Sequence, residues 1–153
     1  MLNVVLDTNV FVSALLSETG APAKILDAWR DGYFGVVITA EIMAEINKIL
    51  RQPKFQNKYA ILPQKIADLN ALLWAHAIYI EPHSNLSGSV PTDPDDEIFL
   101  TAAVDGKVDV IISGDAHLLN LKIYQDIPII TPREFLDMIE TVKKRKRFHN
   151  LPV

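Results

Sequence analysis

Residues 2–9 read LNVVLDTN and residues 108–115 read VDVIISGD. Each holds a short, largely apolar run, rich in β-branched side chains, with an aspartate after it, Asp7 in the first and Asp115 in the second. Runs of this length without polar alternation suit strands buried on both faces, as in a parallel sheet. Asp7 and Asp115 then stand where a strand hands over to a helix. Working outward, Phe34–Ile38 reads as a further strand, Ile78–Ile80 as a weak one and Pro128–Ile130 as the last. Between them lie helical stretches: 9–16, Pro22 to Arg30 after a break at Gly20, and Thr39 as a cap for a helix to Leu50, before Pro53. Another helix runs from Pro63 through Trp74, one from Asp93-Pro94 to Gly106, and a short one over 116–120. Thr131-Pro132-Arg133-Glu134 supplies a cap, a proline at the first helical position and a capping-box glutamate. Residues 54–59 are ambiguous, and His83–Thr92 reads as a polar loop.

Strands that alternate with helices imply right-handed crossovers and an α/β chain. The expectation is a three-layer α/β/α sandwich with a mostly parallel central sheet. Ligands of such sheets sit at the carboxyl ends of the strands, at a switch point. Asp7 and Asp115 can both meet there.

The chain has 153 residues, 49% hydrophobic and 22% charged, which suits one domain with a sizeable core. It has no cysteine, so disulfides and thiolate metal sites are excluded. No apolar stretch approaches the roughly 20 residues of a membrane span, and the start, MLNVVLD, carries no export signal. A cytoplasmic protein is expected. The charge is uneven. Lysine and arginine number 15 against 19 acids, yet five of the cations are consecutive: Lys143, Lys144, Arg145, Lys146 and Arg147. Residues 1–142 therefore hold 10 basic and 19 acidic side chains. The expected division is a domain over 1–142 and a basic tail over 143–153. That tail is either a solvated terminus or an arm that binds phosphates or a partner.

Four acids are singled out by position. Asp7 and Asp115 are strand-end residues that also suit helix caps. Glu45 projects about 40° from Ile49, at the edge of the apolar arc of its helix, whereas Glu41 lies a further 40° or so toward Lys48. Asp96 lies about 40° from Leu100 and about 20° from Ala103, in the middle of an apolar helix face. Asp95 points about 100° away, and Asp93 suits the helix cap or an acid standing behind the others. Four carboxylates in one pocket repel by roughly 3 kcal/mol per pair at about 5 Å and an effective dielectric near 20. Protons or cations must offset that. Mg²⁺ or Mn²⁺, hard and oxygen-ligated, fits, and such a centre can activate water for phosphoryl transfer. The four histidines show no zinc spacing, and there is no phosphate-binding glycine loop. Tyr33, Phe55, Tyr59 and Trp74 can stack bases, but packing is the expected role.

These residues resemble the PIN-domain family, specifically the VapC-like toxins. The matching segments are Asp7-Thr8-Asn9 after the first strand, Glu45 in the helix after the second, DPDDEIFLTAA with Asp96, and ISGDAHLL with Asp115. The resemblance spans about residues 1–137. It implies an α/β/α sandwich and a Mg²⁺- or Mn²⁺-dependent ribonuclease with Asp7, Glu45, Asp96 and Asp115 as metal ligands. Asn9 and Ser113 match auxiliary positions, and Asp93 stands beside them. It also implies an RNA substrate, a cognate antitoxin and a homodimer. In this reading, water activated near Asp7 and Asp96 attacks a phosphodiester and leaves a 5′-phosphate. The competing reading is a catalytically silent RNA- or partner-binding module on the same fold. A haloacid-dehalogenase-like phosphatase would need an aspartate where Asn9 stands. A receiver domain would need an acidic pair at the first strand end and a lysine after the last strand.

Overall fold

The computed structural model describes residues 1–84 and 94–149. Six strands form one sheet in the order β3-β2-β1-β4-β6-β5. They are β1 (Asn3–Leu6), β2 (Gly35–Ile38), β3 (Ile78–Tyr79), β4 (Val110–Ile112), β5 (Ile123–Tyr124) and β6 (Ile127–Ile130). All neighbours pair parallel except β5 with β6. The helices are α1 (Thr8–Leu16), α2 (Ala21–Arg30), α3 (Ala40–Arg51), α4 (Pro53–Tyr59), α5 (Pro63–His76), α6 (Pro94–Asp105), α7 (Ala116–Leu121) and α8 (Pro132–His149).

The apolar runs are buried because both sheet faces are covered. Val4, Val5, Val36, Ile38, Ile111 and Ile112 have no solvent exposure at all. The crossovers β1 to β2 and β3 to β4 travel in opposite directions along the sheet, so right-handed connections place their helices on opposite faces. One layer has α2 packed on α1 and α8; α6 lies against β1, β2 and β4. Phe34 and Phe135 meet edge to face at 5.0 Å, which locks α8 to the entry of β2.

Register decides where the site sits. Leu6 pairs with Ile112 and Ile112 with Ile130, so three strands end level. The ladder continues one step further, Asp7 N–H donating to the Ile112 carbonyl at 3.0 Å and Ser113 N–H to that of Ile130 at 3.0 Å. Asp7, Ser113 and Thr131 therefore emerge on one edge. Because β1 sends the chain one way and β4 continues the other way, the switch point lies between them.

The caps expected from sequence form. Thr39 accepts from the Ile42 amide at 3.2 Å. Glu134 N–H donates to Thr131 Oγ1 at 3.1 Å while Thr131 N–H donates to Glu134 Oε1 at 3.3 Å. Four features differ from the sequence reading. Residues 53–59 are helical. A hairpin joins β5 to β6 through Gln125 and Asp126, with φ of 46° and 67°, the positive values a two-residue type I′ turn requires. Gln-Asp is a rare pair for that turn, which hid the strand. The basic run is not a separate tail, since Lys143–Arg147 ride on the last turns of α8. Nor do all four aromatics pack: Tyr33 and Phe55 lie against the core, but Trp74 is 77% exposed and rests on Tyr79. Its helix already buries Leu69, Leu72 and Leu73 on the opposite side. The expected loop over 83–92 falls mainly outside the described residues, as does Asp93.

Candidate active site

At the switch point lies a cleft of about 190 Å³ lined by Asp7, Thr8, Asn9, Glu45, Asp96, Phe99 and Asp115. Four elements contribute one carboxylate each. Asp7 is the N-cap of α1, its Oδ1 accepting from the Val10 amide at 3.2 Å. Asp115 caps α7 and accepts from the His117 amide at 2.9 Å. The capping geometry and the cleft are compatible, because a carboxylate has about four lone-pair sites and a cap uses one. Glu45, on α3, is half-buried at the cleft wall, while Glu41 is exposed and outside it. Asp96 is 7% exposed in the first turn of α6, between the apolar side chains that its helix face predicts. Asn9 is exposed at the cleft mouth. The side chain of Asp95 and all of Asp93 lie outside the described residues.

Ser113 lies behind this set. Its Oγ–H donates to Asp7 Oδ2 in a short hydrogen bond, and its oxygen accepts from the Asp115 N–H at 2.9 Å. The hydroxyl thus faces the Asp7 carboxylate rather than open cleft. Asp7, 3% exposed, has its carboxyl pushed above its ordinary value, chiefly by burial. The Ser113 hydroxyl and the Val10 and Asn9 amides oppose this, and the negative charge of Asp115 adds to it. A buried acid held up in this way is short of positive charge.

The donors fit a hard divalent cation in kind, being all oxygen and mostly carboxylate. Among the described residues, however, no three acidic or imidazole side chains are gathered tightly enough to hold one ion. Glu45, Asp96 and Asp115 would have to draw in around Asp7. A larger groove of about 440 Å³ between α1, α2 and α5 has an apolar floor at Ala14, Leu26, Leu69 and Leu72, crossed by the Glu18–Lys65 pair at 3.3 Å. It lies away from the strand ends, and its three acids, Glu18, Asp27 and Asp68, are exposed and share the groove with Arg30 and Lys65.

Two residues escaped the sequence reading. Thr8 lines the cleft with a buried hydroxyl oxygen; the Asp7-Thr8-Asn9 segment contains it, but the sequence assigns it no role. Asp105 is the last residue of α6. Its side chain is 2% exposed and accepts from the His83 amide at 2.7 Å, the Ser84 amide at 2.9 Å and the Ser84 hydroxyl. No local pattern announces partners more than 20 positions away.

A sequence model described as a PIN domain matches residues 3–117, and the chain belongs to the PIN-domain family. Members of this family are generally nucleases. The uncharacterized protein MJ1680 of Methanocaldococcus jannaschii is 32% identical over 149 residues, spanning 91% of this chain and 92% of that protein. Among solved structures, one chain of VapBC2 from Rickettsia felis, crystallised with a DNA fragment from its promoter, superposes with a TM-score of 0.57. That match covers 85% of this chain and 98% of that one at 12% identity, a likeness of fold. Among the described residues no helix is long and apolar enough to cross a membrane.

Proposed function

We propose that the protein is a divalent-cation-dependent endoribonuclease, the toxin of a toxin–antitoxin pair, acting in the cytoplasm as a homodimer. The observation that carries this reading is the convergence of Asp7, Glu45, Asp96 and Asp115, from four separate elements, on one cleft at the switch point. Membership of a family of nucleases supports hydrolysis of a phosphodiester. The VapBC2 likeness supports an antitoxin partner. A silent binding module has less support, because an idle cleft gains nothing from four mutually repelling carboxylates.

Asp7, Asp96, Asp115 and Glu45 would hold Mg²⁺ or Mn²⁺. When bound, the cation supplies positive charge that lowers the pKa of a water and steadies the anionic transition state. The chain's own residues do the rest. Ser113 keeps one Asp7 oxygen oriented and favours its charged form. Asp96, buried on the α6 face, would be the second acid to hold the cation and orient the water it activates. Asn9, at the mouth, is placed to donate to a phosphate oxygen. Phe99, 5% exposed, lends the cleft an apolar wall.

The test is cleavage of a mixed RNA by purified protein with Mg²⁺ or Mn²⁺, with products checked for a 5′-phosphate. Asp7→Asn and Asp96→Asn should each lower the rate by at least about 10³, the scale lost when a charged group that acts on the reacting centre is removed. Cleavage that persists in chelator, or that survives both substitutions, would sink the reading. RNA binding without any cleavage would favour the silent module.

A further inference from the structure

We infer that the basic end of α8 is a second RNA contact, a phosphate-binding pole set apart from the acidic cleft, so that a bound RNA spans both. The inference deepens the ribonuclease reading and rests on it for the identity of the polyanion. The placement follows from the fold. Thr131 leaves β6 at the cleft edge of the sheet, and α8 runs back from there. Tyr33 precedes β2 and so lies at the opposite edge. Lys143 and Lys146 sit over its ring, with Nζ 5.1 and 4.9 Å from the centroid. Those two contacts pin the basic turns at the far edge. At 1.5 Å per residue, Arg145 stands roughly 20 Å along the helix from Thr131.

The cations there are largely uncompensated. Lys143 meets Glu140 at 3.9 Å. Among the described residues no carboxylate lies within 4.0 Å of Lys144, Arg145, Lys146 or Arg147. Residues 144–148 are all exposed, and Phe148, 74% exposed, offers a ring beside them. A chain whose first 142 residues carry nine more acids than bases could fold these cations down onto its own surface, yet it holds them out. That cleft also repels phosphate, so affinity for an RNA must be gathered elsewhere. Cations projecting around a helix end suit a phosphate backbone read without base sequence. A span of roughly 20 Å takes at least about six helical steps, since the 3.4 Å step of B-form DNA is an upper figure for the more compact A-form helix of RNA. The favoured substrate is therefore a structured RNA longer than that, not a short oligomer.

Lys143 and Lys146 hold Tyr33, so the test leaves them in place and uses Lys144→Gln, Arg145→Gln and Arg147→Gln together. Glutamine keeps helix propensity. Binding is measured in chelator, without cleavage, by fluorescence anisotropy of a 20-nucleotide RNA hairpin and a 4-nucleotide oligomer over a salt series. The triple variant should bind the hairpin at least tenfold more weakly. Its slope of log affinity against log salt should fall by about 2 to 3, near 0.7–0.9 per cation removed. The short oligomer, which offers fewer phosphates, should bind the parent at least tenfold more weakly than the hairpin does, and circular dichroism should show unchanged helix content in the variant. Hairpin affinity within twofold of the parent, with an unchanged slope, overturns the inference. Because nothing is cleaved in chelator, either result leaves the ribonuclease reading standing. A protein that binds the hairpin through this pole but never cuts it would fail that reading alone.

Discussion

Asp7 is held where water barely reaches, and its protonation is coupled to Ser113 and Asp115 through a chain of hydrogen bonds and charge. Its carboxyl is raised, so below the ordinary aspartate value both folded and unfolded chains are protonated and no penalty exists. The penalty on the folded state grows as pH rises from that value through the folded one. Asp7→Asn should therefore stabilise the cation-free protein at pH 7 by on the order of 1 kcal/mol, roughly 2–4 °C for a domain of this size. The gain should shrink toward pH 4, about where unfolded aspartate titrates. Thermal melts in chelator at several pH values decide it; a variant less stable at pH 7 would contradict the argument. Ser113→Ala removes the strongest influence favouring charged Asp7. Mn²⁺ affinity at pH 7 should fall by roughly tenfold, the scale seen when a ligand's hydrogen-bond partner is lost. The pH midpoint of binding should also move upward, and an unmoved midpoint would leave Ser113 a purely structural role. The candidate acids were readable as residues because each departs from its surroundings: two aspartates end apolar strands, and Asp96 interrupts an apolar helix face. What Ser113 does was not readable, since its partner stands 106 positions away in the chain.

Helix α6 shows how one element serves two ends of the fold. Its first turn brings Asp96 to the cleft, and its last residue, Asp105, clamps His83 and Ser84. Burial raises the Asp105 carboxyl, but the Ser84 hydroxyl, the Ser84 and His83 amides and the His83 ring outweigh that and hold it below its ordinary value. A depressed carboxyl contributes stability above the unfolded value and loses it as pH falls through the folded one. Asp105→Ala, which strands three donors, should cost about 2–3 kcal/mol at pH 7. Urea denaturation should show the difference from the parent narrowing as pH drops below 3.8, the unshifted value. A difference that does not depend on pH would mean packing, not the charged acceptor, supplies the stability. Elements with strong punctuation were legible in advance: Thr39, Pro63 and the Thr131–Glu134 box each mark a helix start by local chemistry. The β5–β6 hairpin was not, because Gln125 and Asp126 take positive φ only under the pull of the strands they join. The length of α8 was also hidden. A run of five cations repels itself in isolation, and two of them are steadied by Tyr33, which the chain folds beneath them.

At the scale of the whole molecule, charge is sorted to two ends, an acidic cleft at the carboxyl edge of the sheet and a basic helix end at the other. Mg²⁺ or Mn²⁺ at about 100 times its dissociation constant should stabilise the native protein by roughly 2.7 kcal/mol, and so raise its melting point by several degrees. Asp96→Asn should abolish that rise. A cation effect equal in both proteins would place the ion elsewhere. The sequence by itself determined the fold class, most of the elements in their order and which acids stand at strand ends, because hydrophobic periodicity and capping are local and survive in a single chain. Only the tertiary structure decided that β1 and β4 are neighbours, that Ser113 reaches back to Asp7, and that the basic run faces away from the cleft. Those outcomes depend on sheet register and crossover direction, which couple residues more than a hundred positions apart and leave no mark on the residues between them.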